Sequence, residues 1–161
     1  MYQEIERKFL PKELPNLTNL KPITYERYYL RIENGLEERI QKKGNKYEFE
    51  RKVRKSDLTR DTQRKEITKE EFEKLKQNAT RAIQRDSYKL QDNPKISIKI
   101  YQGDYEGLVR VEVEFESEEQ AGRFIIPDWF GREITTTKLG KDSRLIQLSK
   151  SQFQQELSKR N

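Results

Sequence analysis

Three charged residues alternate near the amino terminus, where Glu4, Glu6 and Lys8 are separated by Ile5 and Arg7. Alternate residues of a β-strand project to the same side, so this spacing places two carboxylates and one amine on a single face. Paired carboxylates suit a hard divalent cation such as Mg²⁺ or Mn²⁺. A metal held there can polarise a phosphoryl group or orient a water molecule for attack. The segment therefore predicts a site for a metal and a phosphate.

A second acidic pair and several bases show the same two-residue spacing farther along the chain. Glu112 and Glu114 alternate with valines, and bases occupy the polar faces of other alternating segments at Arg39, Lys52, Arg54 and Lys99. Arginine and lysine bind phosphate oxygens through charge-assisted hydrogen bonds. Carboxylates on some strands and bases on others therefore favour an interior that holds a metal together with a polyphosphate.

The composition excludes most other kinds of active site. The 161 residues include no cysteine and no histidine, which removes thiolate, disulfide, imidazole-metal and Ser-His-Asp chemistry. No phosphate-binding glycine-rich loop occurs among the seven glycines. The charged amino terminus is unlike a signal peptide, and no apolar run is long enough to span a bilayer. We expect a cytoplasmic protein with no membrane partner.

The elements that position these residues are mostly strands, because alternation of apolar and polar residues dominates the chain. Strands are expected at residues 4–9, 25–32, 36–43, 46–54, 96–101 and 108–116, and helices at 68–79, 117–124 and 149–159. Gly44-Asn45 is typical of a hairpin turn, and Thr68 with Glu71 forms a capping box. Residues 1–161 are expected to form one domain that ends in the helix at about 149–159.

Each charged face taken alone also suits the solvated side of an antiparallel sheet. Some strands carry acidic residues on this face and others carry basic residues. This distribution instead favours an α+β fold built on a closed antiparallel β-barrel with a charged lumen. A barrel of about eight strands is wide enough to enclose one small ligand. The apolar faces would then point outward, where the three helices cover them.

These segments together resemble the CYTH domain family, also called the triphosphate tunnel metalloenzymes, over nearly the whole chain. The matching stretches are Glu4–Lys8 with the ExExK signature, EERIQKKG and KYEFERK with the VRVR and LTIK hairpin, residues 64–67 with RxExE, residues 111–115 with VEVEF, and residues 126–135 with PxWxGxEVT. The resemblance implies an eight-stranded tunnel in which glutamates hold a divalent metal and bases hold a triphosphate.

Carried over position by position, the resemblance assigns roles to individual side chains. The implied metal ligands are Glu4, Glu6, Glu112 and Glu114, the implied catalytic residues are Glu4, Glu6 and Lys8, and the implied phosphate contacts are Lys8, Arg39, Lys52, Arg64 and Arg85. Purely structural roles stay open for several of them. Glu112 and Glu114 also suit cross-strand ion pairs, as do Arg64 and Arg85.

The chain departs from the family pattern at several positions. Gln41 replaces the second arginine of VRVR, Ser87 replaces a base, and Lys99 replaces an acid. Gly140 and Asp142 stand where a tyrosine and an asparagine are common. Arg54 and Lys138 are candidates to supply part of the missing positive charge at the substrate.

The resulting hypothesis is a metal-dependent phosphohydrolase acting on inorganic triphosphate or a nucleoside triphosphate. A polyphosphate- or nucleotide-binding protein with weakened catalysis is the first alternative, supported by the changes at Gln41, Ser87 and Lys99. A class IV-type adenylyl cyclase is another. Nucleic-acid binding is suggested by the high pI but lacks an RNP-like motif or a recognition helix. The oligomeric state, monomer or homodimer, stays open.

Overall fold

A computed structural model describes residues 1–79 and 81–159 of the chain. Its strands are β1 (Tyr2–Pro11), β2 (Ile23–Glu33), β3 (Leu36–Lys43), β4 (Lys46–Arg54), β5 (Thr59–Glu66), β6 (Ala82–Asp92), β7 (Lys95–Tyr101), β8 (Val109–Phe115) and β9 (Phe130–Glu133). Its α-helices are α1 (Lys69–Lys76), α2 (Glu118–Arg123), α3 (Asp142–Leu145) and α4 (Lys150–Ser158).

The first eight strands form a closed antiparallel barrel. The hydrogen-bonded order is β5-β4-β3-β2-β6-β7-β8-β1, and pairing of β5 with β1 closes the ring. Strand β9 adds to β1 outside the barrel. The eight-stranded antiparallel barrel expected from the sequence is therefore confirmed.

The two faces of the barrel wall differ as the alternation predicts. On β8, Val111 and Val113 are fully buried in an outer apolar cluster, while Glu112 faces the lumen. On β7, Ile96 and Ile98 join the same cluster and Lys99 faces inward. This apolar cluster therefore lies outside the barrel, and the charged residues line its inside.

Helices α1 and α2 cover the outer apolar face of the wall, and α4 packs elsewhere. Helix α1 buries Phe72 against Ile40 and Ile67, and its amino terminus has the expected capping box of Thr68 and Glu71. Helix α2 buries Ala121.

Helix α4 packs Phe153 in a cluster with Ile83, Tyr101 and Leu108. These three residues share their alternating faces with the lumen residues Arg85, Lys99 and Arg110. The expectation that the helix at 149–159 covers the outer face is therefore wrong, because α4 packs over inner-face residues at one end of the barrel. Within the described ranges, no helix combines the length and apolarity needed to cross a bilayer.

Strands β5 and β6 and helix α3 were not placed by the sequence pattern. Strand β5 reads TRDTQRKE and strand β6 reads AIQRDSYKLQD, with polar residues on both alternating sets. A strand whose inner face lines a charged lumen and whose outer face is mostly solvated carries no apolar period. Helix α3 has only four residues, too few for a helical period to appear.

Candidate active site

The barrel lumen contains a cavity of about 210 Å³, called here the lumen cavity. Among the residues that the structure describes, ten basic and five acidic side chains line it. The bases are Lys8, Arg27, Arg39, Lys43, Arg60, Arg64, Arg85, Lys95, Lys99 and Arg110, and the acids are Glu4, Glu6, Glu112, Glu114 and Asp142. With all of them ionised, the lining carries five surplus positive charges. Such a lining is suited to a multiply charged anion.

Two of the acids directly oppose each other in the wall. Strands β1 and β8 pair antiparallel, and their register sets Glu6 against Glu114. Neither carboxylate accepts a hydrogen bond from the described residues, and their nearest cations are Arg60 at 3.9 Å and Lys95 at 3.7 Å. Like charges at such a pair are destabilising unless a cation lies between them.

The other two glutamates are already engaged by bases. Lys52 donates from Nζ to Oε1 of Glu4 at 2.7 Å. Burial alone would raise the pKa of Glu4, but Lys52 and Arg60 hold it well below its usual range. Arg110 donates from Nε to Oε2 of Glu112 at 2.9 Å. Burial is again the opposing effect, and Arg110 leads the bases that lower the pKa of Glu112.

Glu6 differs electrostatically from both of these acids. Burial, together with repulsion from Glu112 and Glu4, raises its pKa despite the attraction of Lys8 and Arg60. A buried carboxylate with a raised pKa and no hydrogen-bond donor is not fully compensated by the cations around it. Glu6 is therefore the acid in this lumen that gains most from a bound metal.

The residues present fit a divalent cation that keeps part of its shell outside the protein. No cluster of three or more acidic side chains within residues 1–79 and 81–159 is arranged to enclose a metal. Mg²⁺ is commonly held by one or two carboxylates, with water and substrate phosphate oxygens completing the shell. The opposed pair of Glu6 and Glu114 matches that requirement.

Lys8 and Lys52 are buried amines on the inner wall. Lys8 is 6% exposed and donates from Nζ to the carbonyl of Gly140 at 2.7 Å. Burial, followed by repulsion from Arg110, lowers the pKa of Lys8 to about 7. Burial, with Arg39 and Arg60, lowers the pKa of Lys52 to about 8. Both amines lie in surroundings that disfavour their charge until an anion arrives.

A buried carboxylate on α3 holds three arginines at the inner end of the lumen cavity. Asp142 accepts hydrogen bonds from Arg27 at 2.8 Å and from Arg110 at 3.0 Å, and Arg85 lies 3.3 Å away. Tyr101 also donates its hydroxyl to Asp142. Burial opposes ionisation of Asp142, but Arg85, Arg110 and Arg27 together lower its pKa well below the usual range. Asp142 thus fixes the positions of guanidinium groups from three different strands.

Arg85 retains an unused donor in this arrangement. Its NH1 group donates to Tyr101 at 3.0 Å and to Glu112 at 3.4 Å. Its Nε is buried and has no hydrogen-bond partner among the described residues. A buried unsatisfied donor that lines a cavity is a candidate contact for a ligand oxygen.

Arg39 and Arg64 share a second buried carboxylate, Glu50. Arg39 donates to it from Nε at 2.9 Å, and Arg64 donates from NH2 at 2.6 Å. Burial of Glu50 is outweighed by Arg39, Lys52 and the neighbouring arginines, so its pKa lies well below its usual range. Arg64 therefore has the structural ion pair that the sequence left open, and both arginines also line the lumen cavity.

Gln41, Ser87 and Lys99, the positions that depart from the family pattern, take part in hydrogen bonds with lumen bases. Gln41 accepts from Arg27 at 2.8 Å and donates to Glu48 at 2.7 Å. The family pattern has an arginine at position 41. Gln41 instead orients Arg27, an arginine of the neighbouring strand β2. Lys99 donates from Nζ to the hydroxyl of Ser87 at 2.6 Å.

Arg54 and Lys138 are not brought into the lumen cavity. The Arg54 side chain is 51% exposed and pairs with Asp57. The Lys138 side chain is 58% exposed, with Glu156 4.0 Å away. Alternation along β4 puts Arg54 in phase with Lys52, but Arg54 is the last residue of the strand and lies beyond the lumen cavity. No alternating pattern supported Lys138.

Arg27, Arg60 and Arg110 line the cavity but were missed as candidates. Arg110 precedes Glu112 by two residues, so its shared face was readable from the alternation of β8. Arg27 is in phase with Tyr25 and Tyr29 on β2. Arg60 lies on β5, where no apolar period reveals a strand.

No family model matches the chain. The chain is 33% identical over 146 residues to an inorganic triphosphatase of Nitrosomonas europaea, an alignment that covers 88% of this chain and 95% of that protein. A crystal structure of an inorganic triphosphatase matches with a TM-score of 0.65 and 31% identity, covering 90% of this chain and 95% of the other. A protein of Pyrococcus furiosus shares the fold, with a TM-score of 0.59 and 18% identity over 74% of this chain and 84% of its own.

Proposed function

The chain belongs to the family of inorganic triphosphatases, and from that premise we propose that it is a divalent-metal-dependent phosphohydrolase. Its substrate is inorganic triphosphate or the triphosphate group of a nucleotide, bound in the lumen cavity. The matching motifs also support a place among the triphosphate tunnel metalloenzymes of the CYTH type.

The observation that carries the proposal is the charge of the lumen cavity. Ten bases face five acids there, and the opposed pair of Glu6 and Glu114 has no hydrogen-bond donor among the described residues. A triphosphate with one divalent cation would supply both missing partners, since the phosphate oxygens would neutralise the bases and Glu6 and Glu114 would hold the metal.

Each group of side chains has a separate part in this proposal. Arg39, Arg64 and Arg85 bind the phosphate oxygens, with the free Nε of Arg85 as one donor. Lys8 becomes fully charged as the anion binds and so holds it by charge, and Lys52, paired with Glu4, adds positive charge beside the cavity. Glu4 orients Lys52, and Glu112 orients Arg110 and Arg85.

The proposed metal ligands are Glu6 and Glu114, with Glu4 and Glu112 beside them. When bound, Mg²⁺ or Mn²⁺ supplies Lewis-acid polarisation of the phosphoryl group. Phosphoryl transfer requires little covalent work from the protein, so positioning and charge stabilisation by the lumen side chains account for most of the rate enhancement. Lys8 can hold or release a proton at Nζ near neutral pH because its pKa is about 7.

Several expectations remain predictions beside this proposal. They are a single domain over residues 1–161, a cytoplasmic location, and one of two oligomeric states, monomer or homodimer. Substrate contacts by Arg54 and Lys138 also stay predictions, without support from their positions.

The test is phosphate release from inorganic triphosphate, ATP and thiamine triphosphate, with Mg²⁺, with Mn²⁺ and with chelator. We expect metal-dependent turnover that Glu6→Gln lowers by at least about 100-fold, because the variant removes a charge without a large change of shape. Glu13→Gln, at an exposed glutamate outside the lumen, is the matched control and should retain full activity.

Other outcomes would replace the proposal with a named alternative. Release of cyclic AMP from ATP would indicate a cyclase. Triphosphate binding without turnover under any metal would indicate a binding protein with weakened catalysis. Equal rates in Glu6→Gln and the parent would reject the metal site at Glu6.

A further inference from the structure

A second cavity, of about 540 Å³, lies at the other end of the barrel and is called here the rear cavity. The two cavities lie at opposite ends of strand β3. Its last residue, Lys43, lines the lumen cavity, and its first residue, Leu36, lines the rear cavity. The rear cavity lies between the β2–β3 turn, the residues after β4, and the segment that leads into α3. The two cavities have no lining residue in common.

A buried ion pair separates the two cavities. Arg60, which lines the lumen cavity, donates from NH1 to Oε2 of Glu37 at 3.1 Å. Glu37 lines the rear cavity and accepts a second hydrogen bond from the hydroxyl of Ser143. A ligand in the rear cavity therefore contacts different side chains from a triphosphate in the lumen cavity.

The charges that line the rear cavity are not balanced. Its bases are Arg54, Lys55, Lys141 and Arg144, and its acids are Glu37 and Asp57. Each acid already has a partner, since Glu37 binds Arg60 and Asp57 binds Arg54. Lys55 lies 3.2 Å from Asp61. The acids near this cavity are thus occupied by other bases.

Lys141 and Arg144 remain without a carboxylate. The half-buried Lys141 side chain makes no hydrogen bond or ion pair with the described residues. Among the described residues, the Arg144 side chain donates only to the carbonyl of Thr136, at 2.8 Å. Burial lowers the pKa of Lys141, and repulsion from Arg60, Arg144 and Arg54 outweighs the attraction of Glu37. Lys141 is half-buried and Arg144 is exposed at the rim, so two cations that lack an acid face one cavity and can bind an anion there.

We propose that the rear cavity is a second anion site, which binds one small inorganic oxyanion of the orthophosphate class through Lys141 and Arg144. Two uncompensated cations match the charge of a single phosphate dianion. The binding itself does not depend on the proposed function. Its consequence does: orthophosphate is the product of triphosphate hydrolysis and would be held without competing with substrate.

The test is calorimetric titration of orthophosphate into the protein in chelator, with the lumen cavity first filled by one equivalent of triphosphate. Without metal the triphosphate stays intact, so orthophosphate must bind elsewhere. We expect one orthophosphate per chain, with an affinity about ten-fold lower in Lys141→Gln because one charge-assisted contact is lost. Lys141→Arg should restore binding, since it keeps the charge.

Two further variants keep the result interpretable. Lys12→Gln removes one exposed charge outside both cavities and should bind as the parent does. Arg144→Gln should weaken binding as Lys141→Gln does, which separates loss of the site from a local folding defect at one position. Absence of orthophosphate heat with triphosphate bound, or equal affinity in Lys141→Gln and the parent, would overturn the second site.

Failure of the proposed function can be distinguished from failure of the second anion site. If triphosphate itself does not bind, the proposed function fails, and the same orthophosphate titration of the ligand-free parent and Lys141→Gln still decides the rear site.

Discussion

The bases of the lumen cavity fall into two classes at the level of single residues. Some arginines have a buried carboxylate partner, Glu50 or Asp142. Lys8 and Lys99 have only neutral acceptors, a carbonyl and a hydroxyl. The pKa of each of these two lysines is lowered to about 7, with burial as the largest cause. Their charge is therefore a cost to the folded protein that a bound anion removes.

Lys99 allows a direct test of this cost through the pH dependence of stability. Burial and repulsion from Arg85 and Arg27 exceed the attraction of Glu112, so the pKa of Lys99 falls to about 7 in the folded state, against about 10.4 in an unfolded chain. Between these values the unfolded state binds more protons, so stability rises with pH. Below pH 7 Lys99 is charged in both states, and it then destabilises the folded state by its full amount.

We therefore expect Lys99→Met to melt at a higher temperature than the parent at pH 6, with a difference that shrinks towards pH 10. Thermal unfolding followed by circular dichroism at both pH values measures this. Lys89→Met, at an exposed lysine of β6, should show no such change in the difference. A constant gain for Lys99→Met at both pH values would mean that Lys99 titrates normally.

At the level of elements, the segment from β9 to α3 delivers two groups into the end of the barrel. A Cβ atom on Gly140 would lie 2.2 Å from the carbonyl oxygen of Ile134 and 2.7 Å from that of Thr135, so this close approach requires glycine. The carbonyl of Gly140 holds Lys8, and two residues later Asp142 holds the three arginines. A short helix without apolar period thus organises bases from β2, β6 and β8.

We expect Asp142→Asn to destabilise the fold because it leaves buried arginines without their shared counter-charge. Breaking a buried ion pair by removing one partner typically costs about 3–5 kcal/mol. Urea unfolding at pH 7 measures the loss. Asp104→Asn, at an exposed aspartate, is the matched control and should leave the free energy of unfolding nearly unchanged. Equal stability of Asp142→Asn and the parent would show that the arginines do not depend on Asp142.

For the whole molecule, the basic character of the chain is concentrated inside the barrel. The chain has a formal net charge of +6, and five of those surplus charges belong to the lining of the lumen cavity. All other residues together are thus nearly balanced. The high pI, which suggested nucleic acid from composition alone, originates mainly from side chains that face inward.

This concentration of charge predicts strong stabilisation by triphosphate even without metal. At a ligand concentration of 100 times Kd, binding adds about 2.7 kcal/mol, which corresponds to a rise of roughly 5–10 °C in Tm for a domain of this size. The shift should fall as salt is raised, because ions screen the interaction. Thermal scans in chelator at low and high salt measure both effects.

A pair of arginine variants tests whether the rise in Tm with triphosphate comes from binding in the lumen cavity. Arg85→Gln removes the buried guanidinium with the free Nε and should lose most of the shift. Arg31→Gln, at a side chain that is 48% exposed, should keep it. Absence of any shift in the parent at low salt would contradict triphosphate binding in the lumen.

The alternation of the sequence determined which side chains share a face, and the family resemblance carried by its motifs supplied the eight-stranded antiparallel barrel. Glu4, Glu6 and Lys8 are on one side of β1 because alternation is a property of the extended backbone. The same reasoning placed Glu112 and Glu114 on β8 with the apolar residues outside. On β1 and β8 the local sequence was sufficient, since the alternation of neighbouring residues decides which side chains share a face.

Only the tertiary structure decided which charges meet across the lumen. Lys52 contacts Glu4 over 48 residues of sequence, and Arg27 contacts Asp142 over 115. Arg54 is in phase with Lys52 along β4, yet it lies at the barrel end and pairs with Asp57. Such partners depend on strand order, register and the end segment that closes the barrel, and no local period of the sequence encodes those distances.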